Sequence, residues 1–182
     1  MKCLMQLRKT ALTDILRMTR LIVVVGIFIF LHFSASSTFA QEKENIIISG
    51  DNNQSRILKI AEIKNMPHVE VSRKDRDQRN HRYSGVLLSE LLFRSGLAFA
   101  DSTRKENLTK YIVIEAIDGY EVMFSLAEID PEVSNQLIIL ADSMDGEELP
   151  SNDGAVRVIV PNDKKPARCI KQVTAIKIYS AK

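Results

Sequence analysis

The run Asp153–Val173, DGAVRVIVPNDKKPARCIKQV, constrains the fold more than any other stretch of the chain. Asp153-Gly154 is a turn dipeptide, because glycine reaches backbone conformations closed to other residues. Val156, Val158 and Val160 alternate with Arg157 and Ile159. A period of two carried by β-branched residues predicts a strand. Pro161 ends it, since proline has no amide hydrogen to give a ladder. Asn162–Pro166 is a polar, cationic loop, and Ala167–Tyr179 resumes as an apolar, β-prone run. The order is strand, charged loop, strand, with Arg157 before the loop and Arg168 after it.

The N-terminus has a different character. Lys2, Arg8, Lys9, Arg17 and Arg20 precede an apolar run, Leu21–Phe33, and small or polar residues follow to Ala40. That pattern predicts a secretory signal over residues 1–40, with Thr38 and Ala40 at the small positions before cleavage. The apolar run is shorter than the roughly 20 residues of a membrane span. The expectation is an exported protein, periplasmic or secreted, that meets a membrane only if the signal stays uncleaved. Met18 offers an alternative start to Met1. Residues 41–182 are then one domain of 142 residues, long enough for a sizeable core. The whole chain has a formal charge of +2, but the part after Ala40 holds 20 basic and 22 acidic residues, a net −2. Nothing in that balance points to nucleic acid.

Along the domain, Ile46–Ser49, Ile57–Ile60 and Val69–Val71 read as short strands, and Gly50–Asn53 as a turn. Ala61–Asn65 reads as one helical turn before Pro67. Arg73–Arg82, RKDRDQRNHR, lacks any apolar residue and reads as a solvated loop or, more sharply, an anion-facing one. Val86, Leu87, Leu88, Leu91 and Leu92 fall at helical spacing, with Ser95-Gly96 as the stop. Tyr111–Ala116 and Tyr120–Ser125 form a hairpin around Ile117-Asp118-Gly119. Leu126–Asp130 is a helical turn, Leu137–Ala141 a strand and Asp145–Glu147 a turn. The predicted class is α+β: mixed β-sheets, one main helix and short helical turns.

The usual chemistries lack their residues. Cys3 falls in the signal and Cys169 stands alone, so no internal disulfide and no haem attachment motif is present. After Ala40 only His68 and His81 remain, which excludes a zinc site of the common Cys/His type. No G-x-S-x-G elbow or P-loop occurs. Cys169 reads either as a small buried residue on a strand or as a thiol activated by Arg168 and Lys171. Arg157, Lys164, Lys165 and Arg168 gather around one loop and suit a phosphate or carboxylate. The competing reading turns Arg157 outward to a neighbouring carboxylate and leaves the lysines in water. Tyr83 adds a stacking face or hydroxyl, or half-buried packing.

Several segments together resemble one family. They are Y-x-G-V-x-L-x-x-L-L-x-x-x-G from Tyr83, A-x-D-G-Y-x-V-x-F-S-L-A-E-I-D-P from Ala116, I-I-L-A from Ile138 and D-G-E-x-L from Asp145. Gly154, Arg157, Val160 and Pro161 follow, then Arg168, Lys171 and Ile176. Over about residues 46–179 the chain resembles the oxidoreductase molybdopterin-binding domain, the fold of sulfite oxidase, in a short secreted form. The resemblance implies a pterin cofactor whose metal takes a thiolate from a cysteine after the strand matched by Val69–Val71. This chain has Ser72 and Arg73 there, and no cysteine as far as Tyr83. Catalytic members also carry a preceding part with histidine and arginine contacts to the pterin phosphate, for which no counterpart is expected here.

The sequence therefore predicts an exported binding module, non-catalytic, holding molybdopterin, a related pterin or another anionic small molecule through Arg157, Lys164, Lys165, Arg168 and Tyr83. No residue is assigned to catalysis or to a metal. Two alternatives stay open: a molybdopterin-dependent oxidoreductase or subunit with altered ligation, and a ligand-free domain that binds a partner protein.

Overall fold

The computed structural model describes residues 44–50, 55–96 and 105–181, which belong to one compact unit. The predicted signal segment and the turn at Asp51–Asn53 lie outside the described residues. Among these residues no helix is long and apolar enough to cross a membrane.

Among the described residues ten strands make two sheets. The first runs in the order β2 (Ser55–Lys59), β1 (Asn45–Ser49), β10 (Val173–Ser180), β5 (Lys110–Ala116), β6 (Glu121–Ser125). Only β1 and β10 are parallel in it, with Ile48 opposite Ile176. The second runs β3 (Val69–Lys74), β4 (Asn80–Leu87), β7 (Ile139–Met144), β8 (Glu147–Glu148), with β9 (Arg157–Ile159) also on β7. Helices are short: α1 (Ile60–Lys64), α2 (Leu88–Arg94) and α3 (Leu126–Ile129), with 3₁₀ turns at Ser151–Asp153 and Pro166–Arg168. This is the expected α+β arrangement, with α2 as the main helix.

The core between the layers takes Ile46, Ile48, Ile112, Ile114, Phe124 and Ile176 from the first sheet. Val86, Leu140, Val156, Val158 and Val160 come from the second sheet and its flanks, and Leu88, Leu91 and Leu92 from α2. Burial of these apolar faces is the main force holding the layers together. A smaller apolar cluster, Val71, Tyr83, Ile139, Ala141 and Ile159, covers the other face of the second sheet. That sheet is therefore buried on both sides. The alternation around Arg157 separates two interiors rather than an interior from water: the valines enter the main core, and Arg157 and Ile159 enter the smaller one.

Three sequence expectations are corrected. The helix begins at Leu88, not Val86, because Gly85, Val86 and Leu87 pair with Ala141, Leu140 and Ile139 and extend β4. Gly85 permits this: a Cβ there would lie 2.3 Å from the Leu140 carbonyl oxygen and 2.4 Å from Ala141 Cα. The charged run Arg73–Arg82 is a hairpin, with Arg73-Lys74 ending β3 and Asn80–Arg82 opening β4. Arg73 is buried, so the run is not wholly solvated. Finally, Ala167–Gln172 is not strand. It winds through the 3₁₀ turn and a left-handed Gln172 (φ 51°) before β10 starts at Val173.

Candidate functional site

The sequence places Arg73, Tyr83 and Arg157 on three strands of one sheet, and strand alternation aims all three at the same face. Tyr83 lies opposite Val71 across the β3–β4 pair, and Arg157 opposite Ala141 across β7–β9. The Tyr83 ring is fully buried, with the Arg157 guanidinium 5.2 Å from its centre. Arg157 Nη1 donates to Asp153 Oδ2 at 2.7 Å and to the Tyr83 hydroxyl at 3.2 Å. The Tyr83 hydroxyl donates to Asp75 Oδ2 at 2.5 Å. Burial and that carboxylate push the phenol well above its ordinary pKa, so it stays protonated.

Asp75 in turn faces Arg73, whose Nε is 3.5 Å from Asp75 Oδ1. Arg73 Nη1 donates to the carbonyl oxygens of Val160, at 2.5 Å, and Asp163, at 3.0 Å. The Asp163 carboxylate takes two hydrogen bonds from Arg168, each 2.8 Å, and Arg168 Nη1 donates to Glu128 Oε1 at 2.7 Å. The bidentate arginine holds the Asp163 carboxyl below its ordinary range. At the other end Lys171 pairs with Asp153. Lys171, Arg157, Arg73 and Arg168 thus share one continuous network with Asp153, Asp75, Asp163 and Glu128. Four cations meet four carboxylates, and the network runs from β3 to the two segments flanking β9. An unpaired buried charge carries a penalty of several kcal/mol, so this balance keeps the small core intact.

Beside this network a cleft of about 900 Å³ opens between the hairpin tip at Asp75–Asp77, the β5–β6 turn and the segments around Asn152 and Lys171. Arg157, Asp153 and Cys169 line it. Gly154 shapes this wall: its φ is 80°, and a Cβ there would lie 2.9 Å from Gln172 Cα. The cleft is not a cationic pocket. Its fixed charges are Arg76, Arg157 and Lys171 against Asp75, Asp77, Asp118 and Asp153, with His81 titratable.

The residues predicted for one anion pocket divide. Tyr83 and Arg157 meet. Arg168 lies outside the cleft lining, stacked 4.8 Å from the Phe124 ring centre and held by its two carboxylates. Lys164 and Lys165 are exposed and also outside the lining. Arg157 is turned inward and paired with carboxylates. Sequence reasoning missed Arg73, Asp75 and Asp153. The alternation of Val69 and Val71 extends to Arg73 and carried that signal, masked by the charge of its neighbours.

The sequence matches the family of the oxidoreductase molybdopterin binding domain over residues 32–182. The chain belongs to that family. No curated protein matches it. Among solved structures it is similar to the sulfane dehydrogenase SoxCD from Paracoccus pantotrophus, with a TM-score of 0.59 and 18% identity. That similarity covers 75% of this chain and 39% of the SoxCD chain, and it shows the sulfite oxidase-like fold.

The molybdopterin-binding family name raises the question whether these residues suit a metal–pterin group. Among the described residues the free cysteine is Cys169, and no group of three His, Cys, Asp or Glu side chains is disposed to hold a metal. Cys169 is 6% exposed, burial pushes its thiol up, and its Sγ accepts the Val160 amide at 3.4 Å. It therefore offers no ready thiolate. At the end of β3, where the resemblance puts a ligand cysteine, stands Arg73 with its guanidinium committed to the protein. These residues do not fit a metal held through a protein thiolate.

Proposed function

We propose that this member of the molybdopterin-binding family is an exported, non-catalytic binding module whose ligand site is the cleft over Arg157 and Asp153. The observation that carries this reading is Arg73: a cation locked to Val160 and Asp163 stands in the segment that would supply the thiolate. A redox enzyme that kept a protein thiolate on its metal would need Cys169, and its raised, buried thiol opposes that role.

The ligand class follows from the lining. Arginine and lysine alternate with aspartates there, so a bare anion gains little from the field. A pterin-like molecule, with hydrogen-bond donors and acceptors on one flat edge, finds partners of both kinds. Export is supported by the basic, apolar and small-residue order of residues 1–40. Titration of the purified mature protein with an oxidised pterin, followed by its fluorescence, tests the reading. Saturable quenching that Arg157→Met abolishes supports it; no quenching at millimolar pterin removes it.

One observation favours the protein-binding alternative. Ile47 and Ile57 face each other across β1–β2 at the edge of the first sheet, and they are 49% and 64% exposed. An apolar pair with one member on the edge strand β2 and the other on its neighbour β1 suits a partner chain. Ile57→Lys should abolish association with such a partner and leave pterin titration unchanged.

A further inference from the structure

His81 sits between two carboxylates. Its Nδ1 is 2.6 Å from Asp145 Oδ2 and its Nε2 is 2.9 Å from Asp77 Oδ2. A neutral imidazole has one N–H and one lone pair, so it can donate to only one of these oxygens. The other contact would set a lone pair against a carboxylate. Both contacts are satisfied together only by the imidazolium. From the elements packed against it, the charged groups facing His81 are Asp77 of the β3–β4 turn and Asp145 of the β7–β8 turn. Arg73, its cross-strand neighbour, directs its guanidinium to Val160 and Asp163 instead. The nearby Tyr83 ring, 6.4 Å away, carries a neutral phenol.

We infer that His81 is a pH-operated latch that pins the Arg76–Asp77 tip of the β3–β4 turn, one lip of the cleft, to the β7–β8 turn, while Asp75 stays held by Tyr83 and the buried arginines. The two carboxylates are anchored differently. Asp145 is tied to the β4 backbone: its Oδ1 accepts the Arg82 amide at 2.9 Å and its own amide donates to the Arg82 carbonyl at 2.7 Å. Asp77 has its second hydrogen bond inside its own turn, from the Arg79 amide at 3.0 Å. When the proton leaves, the remaining N–H stays with Asp145, and the Asp77 side lets go. The freed turn carries Arg76 and Asp77 on the cleft lining and a left-handed Gln78 (φ 66°).

The direction of the titration follows from the same contacts. Hydrogen bonds to Asp145 and then Asp77 raise the His81 pKa above its ordinary 6.5, and the bond to His81 lowers both carboxylates. A raised histidine pKa stabilises the latched form fully below the unfolded value and loses that contribution as pH rises through the folded one. The latch is therefore closed in mild acid and released in mild alkali.

The latch is a property of the protein alone; its effect on binding rests on the cleft reading. The test is NMR titration of the His81 ring with hydrogen exchange of the Arg79 amide, which donates to Asp77 Oδ1, at pH 6 and pH 9, corrected for intrinsic rates. The expected result is a His81 midpoint above that of free histidine and protection that falls at least tenfold at pH 9. Asp77→Asn should lower the midpoint and remove the pH dependence of Arg79 protection, leaving it at the low value at both pH values. A midpoint at or below that of free histidine, or equal protection at both pH values, overturns the latch. A working latch in a protein that binds no pterin would remove the cleft reading and leave the latch standing.

Discussion

Arg73 at the end of β3 donates to the carbonyl oxygen of Val160 just after β9, 2.5 Å away, and so ties an edge strand of the second sheet to the segment entering the cationic loop. Arg73 is 4% exposed and shares Asp75 with Tyr83 and Arg157. A side chain of this kind has two roles open to it, filling and neutralising, and the neighbouring carboxylates require the second.

Removing that charge alone should be costly. Arg73→Met keeps the volume and leaves Asp75 facing a smaller cationic field, with the Val160 carbonyl left only the Asp163 amide, 3.4 Å away. The expected loss is about 3–5 kcal/mol, the range for breaking one side of a buried pair. Arg73→Met with Asp75→Asn should recover a measurable part, because the orphaned charge goes with its partner. Urea midpoints at constant slope read both.

Gly85 should tolerate no side chain. An alanine methyl would be placed 2.3 Å from the Leu140 carbonyl, and both strands are fixed by core contacts on either face. Gly85→Ala is expected to destabilise by at least about 3 kcal/mol, the upper range of overpacking. A thermal melt that moves by less than a few degrees would speak against the close approach of β4 to β7.

Cys169 should be inert in the folded protein. It is 6% exposed and its thiol is raised by burial, so an aromatic disulfide reagent at pH 8 should react only as fast as the protein unfolds. Rapid stoichiometric labelling of the native state would restore the activated thiol as a live reading.

His68 gives stability its own pH dependence. Burial opposes its charge, but its Nε2 bond to Asp142, 2.9 Å, and its Nδ1 bond to the Met66 carbonyl, 2.6 Å, outweigh that and raise the pKa. The contribution is complete below about 6.5, the ordinary histidine value, and lost as pH rises through the higher folded value. Unfolding free energy should therefore fall between pH 6 and pH 8.5, and His68→Gln should flatten part of that slope.

Much of this fold was legible in short segments. The hairpin around Asp118-Gly119, the strand at Val156–Val160 and the family resemblance all rest on local spacing, and local spacing survives in the structure. What the sequence hid was burial of charge. Arg73 and Arg157 look solvated because hydropathy counts each side chain alone, while their cost is set by Asp75 and Asp153, which only the folded strands bring close. The same limit displaced the helix start. Val86 and Leu87 suit a helix locally, and cross-strand pairing to β7 made them strand. The lysines of the loop stand close to Arg168 in sequence, yet its three short hydrogen bonds to Asp163 and Glu128 keep it out of the cleft.

The central claim is that a locked arginine stands in place of a metal ligand. Molybdenum and tungsten content of the protein purified from its native cells, paired with oxidised-pterin fluorescence, tests it most directly. The account predicts substoichiometric metal, with or without bound pterin. One metal per chain together with pterin would contradict it and return the protein to the catalytic members of its family.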